Sequence, residues 1–174
     1  MLSYNEVEGD LIQLAKEGKF NAIAHGCNCR STMAAGIAVP MAKTFGCDKF
    51  RMELDGPSIL KLGNIDFNCF VLGKNGAIWK MEDETSNPQD DPELYVINAY
   101  TQNWYGRNHA NGNKAPIDYE ALTLCMRKLN SICKGLRVGL PKIGAGLAGG
   151  NWEEIKNIIK TELADCHITI VIYK

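Results

Sequence analysis

Apolar positions along the chain fall into short continuous runs separated by longer segments of helical period. Residues 20–28, Phe-Asn-Ala-Ile-Ala-His-Gly-Cys-Asn, are almost unbroken in apolarity and too short for a helix. Such a run predicts a central strand covered on both faces. Runs at 65–72, 94–101, 136–141 and 167–173 predict further strands, the last being the richest in β-branched residues. Residues 3–8 could add one more. Helical spacing marks 118–133 through Leu122, Cys125, Met126, Leu129, Ile132 and Cys133. It marks 152–163 through Trp152, Ile155, Ile158, Ile159 and Leu163. A third helix is predicted over 37–46, with Pro40 in its first turn, where a missing N–H costs little. Strands alternating with helices predict an α/β sheet with helices on both faces. No repeat and no linker divides the chain, so one domain over residues 1–174 is expected.

Two polar stretches interrupt this order. Glu82 to Asp91 reads as a solvated acidic loop, with a divalent-metal site as the alternative. Asn103 to Pro116 carries Trp104, Tyr105, Arg107 and His109, and is either a functional lid or a poorly ordered connection.

Composition sharpens the picture at one point. The chain has 174 residues, a net charge of −1 and 17 glycines, an excess over the usual share of about 7%. Near-neutrality argues against a broad basic field for nucleic acid. A phosphate-bearing ligand would have to be held by backbone instead. Seven scattered cysteines, an odd number, predict reduced thiols rather than a disulfide framework, hence a cytoplasmic protein. No apolar run reaches membrane-spanning length, and the first residues lack a signal-peptide pattern. Membrane and nucleic-acid partners are therefore not expected, and a monomer is. His25, Cys27 and Cys29 lack a second ligand pair at zinc spacing, so no metal or cofactor is expected either.

Five of the glycines lie between Gly139 and Gly150, after a predicted strand and before a helix whose N-cap is expected at Asn151, with Glu153 and Glu154 in its first turn. Glycines there permit positive φ and close approach to backbone N–H groups, which suits a phosphate. A structural turn without ligand is the alternative. The string Gly144-x-Gly146-x-x-Gly149 matches the dinucleotide fingerprint in letters only. One helix and one strand follow it, where a dinucleotide fold needs two mononucleotide halves, and Asp165 precedes its strand. The GKS or GKT ending of a Walker loop is also missing. A second loop, Arg30 to Ala38, leaves the 20–28 strand for a helix through small residues at 34–36. Two such loops at the carboxyl ends of parallel strands define a crevice suited to a nucleoside diphosphate derivative.

On these residues the chain resembles the macro domain family of ADP-ribose-binding modules. Gly9-Asp10-Leu11 resembles the family's N-terminal Gly-Asp-Ile/Leu, and Ala24-His25-Gly26-Cys27-Asn28 its strand ending in asparagine. Ala35-Gly36-Ile37-Ala38 is similar to its Gly-Gly-Val-Ala loop, and residues 141–147 to its second glycine loop. Val171-Ile172-Tyr173 resembles its last strand, so the likeness spans residues 9–173. The His-x-Cys-Asn-Cys form is most similar to the branch containing the yeast-type ADP-ribose 1″-phosphate phosphatase.

The resemblance implies a three-layer α/β/α fold with a mixed central sheet. It implies that Asp10 accepts from the adenine amino group, that Leu11 flanks the base and that Tyr173 stacks on it. Cys27 and the loop residues Thr32, Met33, Ala35, Gly36 and Ile37 would hold the diphosphate and distal ribose. Pro141, Ile143, Gly144, Ala145, Gly146 and Leu147 would do so from the other side. Asn28 would bond the distal ribose in a hydrolase releasing phosphate from ADP-ribose 1″-phosphate. His25, the histidine near this site in the sequence, is the candidate proton donor because imidazole can act near neutral pH. Hydrolysis of ADP-ribosyl or acyl esters and non-catalytic reading of ADP-ribose are the alternatives. The glycohydrolase relative's lysine and aspartate positions carry Ala99 and Ala148, which counts against a lysine-adduct mechanism. Other roles stay open as well. Asp10 could cap the following helix, Tyr173 could be a plain strand residue, and His25 a core histidine. Strand alternation places residues 25 and 28 on opposite faces unless the strand twists or ends early.

Overall fold

A computed structural model describes residues 1–30, 32, 33, 35–50, 58–80, 93–103, 116–146 and 148–174. The acidic stretch 82–91, the loop residues 104–115 and Leu147 lie outside the described residues. Seven strands form one sheet: β1 (Ser3–Glu8), β2 (Ala22–Asn28), β3 (Ile65–Leu72), β4 (Ile78–Lys80), β5 (Glu93–Gln102), β6 (Arg137–Leu140) and β7 (His167–Ile172). Four helices accompany them: α1 (Leu11–Lys16), α2 (Ala38–Phe45), α3 (Tyr119–Ile132) and α4 (Trp152–Glu162).

The strand order is β1-β7-β6-β2-β5-β3-β4. The first five run parallel, and β3 and β4 close the far edge antiparallel. The sheet is therefore mixed, and β2 and β5 lie inside it. Their apolar runs follow from that position, because each residue of a central strand meets a covering layer on one face or the other.

One layer is α3 and α4, which bury Leu122, Met126, Leu129, Ile155 and Ile159 against Ala22, Ala24, Val138 and Ile168. The opposite layer is α1 and α2, where Leu11, Ile12, Met41 and Phe45 pack on Ile23, Phe70 and Val96. This is a three-layer α/β/α fold. Ile132, counted on the buried face of α3, is 42% exposed in its last turn. The short α1 and the edge strand β4 have no periodicity long enough to read from sequence. All seven cysteines are unpaired thiols. Among the described residues no helix is long and apolar enough to cross a membrane.

Candidate functional site

The carboxyl ends of β2, β5, β6 and β7 point to one rim of the sheet, and two cavities open there. One, of about 320 Å³, lies between the loop after β2 and the loop after β6, with Asn28, Thr101 and Gln102 from the strand ends. The other, of about 610 Å³, lies between the start of α1 and the end of β7. Gly36, Ile37, Pro141 and Lys142 line both, so the two cavities meet at that junction.

Asn28 explains how the first wall is built. Its Oδ1 accepts from Arg30 N at 3.0 Å and Thr32 N at 3.2 Å, and its Nδ2 donates to Thr32 O at 2.8 Å. A buried asparagine at the strand end thus folds the loop back on itself, as Asx turns do. Only the second Nδ2 hydrogen is left for a ligand. The loop ends at Gly36 with φ +60 and enters α2, whose N-cap Ile37 makes no side-chain bond. Neither Ile37 nor Ala38 donates its N–H to another described residue, so the start of α2 presents open donors at the junction.

The second wall corrects the reading of the glycine-rich turn. Gly139 sits in β6, where a Cβ would stand 2.7 Å from Phe20 and 2.9 Å from Leu11. Gly144 has φ +74, and a Cβ there would collide with Ile117. Gly150 is closed by Gly144 O at 2.6 Å. These three serve packing and turn geometry, and Gly144 also lines the first cavity. Gly146 alone of the five has open space around it without a positive φ, and it lines the first cavity. The N–H groups of Gly144 and Gly146 have no partner among the described residues. Asn151 caps α4 by accepting from Glu154 N, as its position in the sequence predicts.

The second cavity is largely apolar, lined by Leu11, Ile12, Ile37, Pro40 and Val171, with Asp10 and Tyr173 at its edge. Asp10 is the N-cap of α1: its Oδ1 accepts from Ile12 N at 2.9 Å and Gln13 N at 3.1 Å. Its Oδ2 stays uncommitted, so capping and ligand contact are compatible. Tyr173 is 78% exposed, and its ring is available to a stacking partner.

His25 does not reach either cavity. It is fully buried, and its position is fixed by a polar network. Asn98 Nδ2 donates to Cys47 O at 2.9 Å and Asp66 Oδ1 at 2.7 Å, which turns Asn98 Oδ1 toward His25 Nε2 at 2.7 Å. His25 is therefore the Nε2–H tautomer, and its buried Nδ1 has no partner among the described residues. Burial pushes its pKa down to about 4, against the opposing bond to Asn98. Tyr100 donates to Asp66 Oδ2 at 2.7 Å, and burial holds the Asp66 carboxyl above its ordinary value. A fully buried imidazole that lines neither cavity favours the core-histidine alternative over a proton donor. The reason is strand alternation: His25 faces the α2 layer. The pairing of β2 with β5 shifts register between Cys27 and Asn28, which turns Asn28 into the cleft.

The remaining expected residues divide clearly. Cys27, Thr32, Met33, Ala35 and Ile143 line the first cavity. Burial raises the Cys27 thiol well above its ordinary value, so it contributes apolar surface. Ala145 packs against the core and does not line the cleft. Ala99 is fully buried, while Ala148 lines the cleft. Sequence reasoning missed Thr101, Gln102 and Lys142. The first two lie at the carboxyl end of a predicted strand, where crevices in α/β sheets form. Thr101 is fully buried and its Oγ1 has no partner among the described residues.

The two-part cleft lies over the strand ends of a parallel-centred α/β sheet, where such sheets hold their ligands. No family model matches the chain. It is 31% identical over 169 residues to the "Uncharacterized 17.5 kDa protein in tk-vs intergenic region" of Enterobacteria phage T4, covering 95% of this chain and 93% of that protein. It is 29% identical to an ADP-ribose 1″-phosphate phosphatase of Meyerozyma guilliermondii, over 92% and 94% of the two chains. Among solved structures, the macrodomain of Thermus aquaticus DarG superposes with a TM-score of 0.57 at 18% identity, over 98% of this chain and 97% of that one. Thermosipho africanus DarTG in complex with ADP-ribose gives 0.61 at 17% identity, over 99% of this chain and 42% of that one. The chain has the macro domain fold, and its sequence is similar to those of the yeast ADP-ribose 1″-phosphate phosphatases.

Proposed function

We propose that the protein binds ADP-ribose along the two joined cavities and hydrolyses ADP-ribose 1″-phosphate to ADP-ribose and phosphate. The observation that carries the binding reading is the junction. An apolar cavity edged by Asp10 and Tyr173 meets, at Gly36, Ile37, Pro141 and Lys142, a second cavity with unpaired N–H groups on both walls. An adenosine half, a diphosphate and a distal ribose follow that order. Asp10 Oδ2 would accept from the adenine amino group, Tyr173 would stack on the base, and the N–H groups at the start of α2 and at Gly146 would face the diphosphate.

Hydrolysis rests on the yeast relatives' activity together with the character of the distal cavity. Its described lining holds no carboxylate and no imidazole. A step that needs no protein acid fits this lining. Water attacks C1″, the C1″–O bond breaks, and phosphate leaves with the bonding pair while the water's proton passes to the phosphate or to solvent. Backbone N–H groups stabilise the charge that develops on the leaving oxygen.

Calorimetry with ADP-ribose, beside a phosphate-release assay on ADP-ribose 1″-phosphate, tests both levels. Binding with release is expected. Binding without release would make the protein an ADP-ribose reader, and no binding would overturn the reading entirely.

A further inference from the structure

Lys142 is the one cation among the described residues that line the two cavities, and it lies where they meet. Its ammonium does not sit in the junction. Nζ stands 5.3 Å from the centroid of the Trp152 ring, the first residue of α4. That resting place is weakly held. Trp152 is half-buried against the core, a cation over a ring that is not fully desolvated gains little, and the start of a helix carries partial positive charge. Glu153, the nearest acid in sequence, already faces Lys156 at 3.4 Å. A diphosphate at the junction would offer charge-assisted hydrogen bonds instead, which are stronger. The four-carbon stem rotates freely enough to exchange one partner for the other.

Taking the cleft as an ADP-ribose site, we propose that Lys142 recognises the charge of the diphosphate, leaving Trp152 when the ligand binds. The open N–H groups fix where the phosphates lie. Among the described residues that line the cavities Lys142 adds the one formal positive charge, and so separates phosphorylated ligands from the nucleoside alone. With a net charge of −1, the chain has no overall basic excess to stand in for this residue.

The test is calorimetry with ADP-ribose, ADP and adenosine on the wild type, Lys142→Met and Lys142→Arg, in low and high salt. Tryptophan emission is followed in the same titrations. Lys142→Met is expected to weaken ADP-ribose and ADP by about tenfold, as for one charge-assisted contact, and to leave adenosine unchanged. The loss should shrink in 1 M salt, roughly a 3 Å screening length, and Lys142→Arg should restore most of it. ADP-ribose should change the emission of the wild type, and that change should be lost in Lys142→Met and in Trp152→Phe.

Equal ADP-ribose affinity in wild type and Lys142→Met would overturn the role of Lys142 while leaving the site intact. So would a parallel loss of adenosine, which would mark a packing effect. Failure of the wild type to bind ADP-ribose would instead remove the ADP-ribose reading on which the role rests.

Discussion

Acidification should weaken the fold through His25, by an amount that its surroundings set. The ring is fully buried and its pKa falls from 6.5 to about 4. The unfolded chain therefore binds a proton there between those values, and the folded chain does not. Stability from this group is fully present above pH 6.5 and is lost as pH falls toward 4. One proton changes stability by about 1.4 kcal/mol per pH unit, so the full loss is about 3 kcal/mol. Between pH 7 and pH 5 it is about 2 kcal/mol. Asp66 acts in the opposite direction, because its raised carboxyl gains a proton more readily in the folded state.

His25→Gln separates the two effects. The amide still donates to Asn98 Oδ1 and does not titrate, while Asp66 is unchanged. Urea denaturation of both proteins at pH 7 and pH 5 should show the variant gaining about 2 kcal/mol on the wild type over that interval. A difference constant to within about 0.5 kcal/mol would refute the buried, neutral imidazole. The same variant should release phosphate at pH 7 within about threefold of the wild type. A general acid contributes at least about a hundredfold, so a loss of that size would return His25 to the chemistry.

Three other outcomes follow from the cleft. Gly139→Ala, whose Cβ would stand 2.7 Å from Phe20, should destabilise by about 1–3 kcal/mol in denaturant titration. Because Leu11 lies 2.9 Å from the same point and lines the larger cavity, ADP-ribose affinity should fall as well. Asn28→Ala strips partners from Arg30 N, Thr32 N and Thr32 O; it should cost about 1–3 kcal/mol and weaken ADP-ribose, both measurable by melting with and without ligand. Hydrolysis of ADP-ribose 1″-phosphate in ¹⁸O water should release unlabelled phosphate, read by mass spectrometry. Label in the phosphate would place the break at P–O and require a different mechanism.

Much of the fold was legible because burial leaves a period in the sequence. The runs at 20–28, 65–72, 94–101 and 167–173 coincide with β2, β3, β5 and β7, and the helical stripes with α3 and α4. A strand covered on both faces has to be apolar throughout, and a helix covered on one face has to repeat. The six residues of α1 and the three of β4 are too short to carry either signal. The helix start at Asn151 was readable because capping is local chemistry, satisfied within three residues.

The site was legible only in part, since most of it depends on residues distant in sequence. The glycine-rich turn stood out by its letters. Only the structure showed that Gly139, Gly144 and Gly150 answer to Phe20, Ile117 and each other's backbone, and that of these three Gly144 still lines the cleft beside Gly146. His25 and Asn28, three positions apart, were both candidates for the chemistry, with a core role left open for His25. The Asn98–Asp66–Tyr100 network draws one into the core, and a register shift turns the other into the cleft. Lys142 carried no signal at all until the meeting of two cavities placed it at their junction. Local pattern determined which segments are buried. Which side chains meet a ligand was decided by the order in which the sheet sets its strand ends side by side.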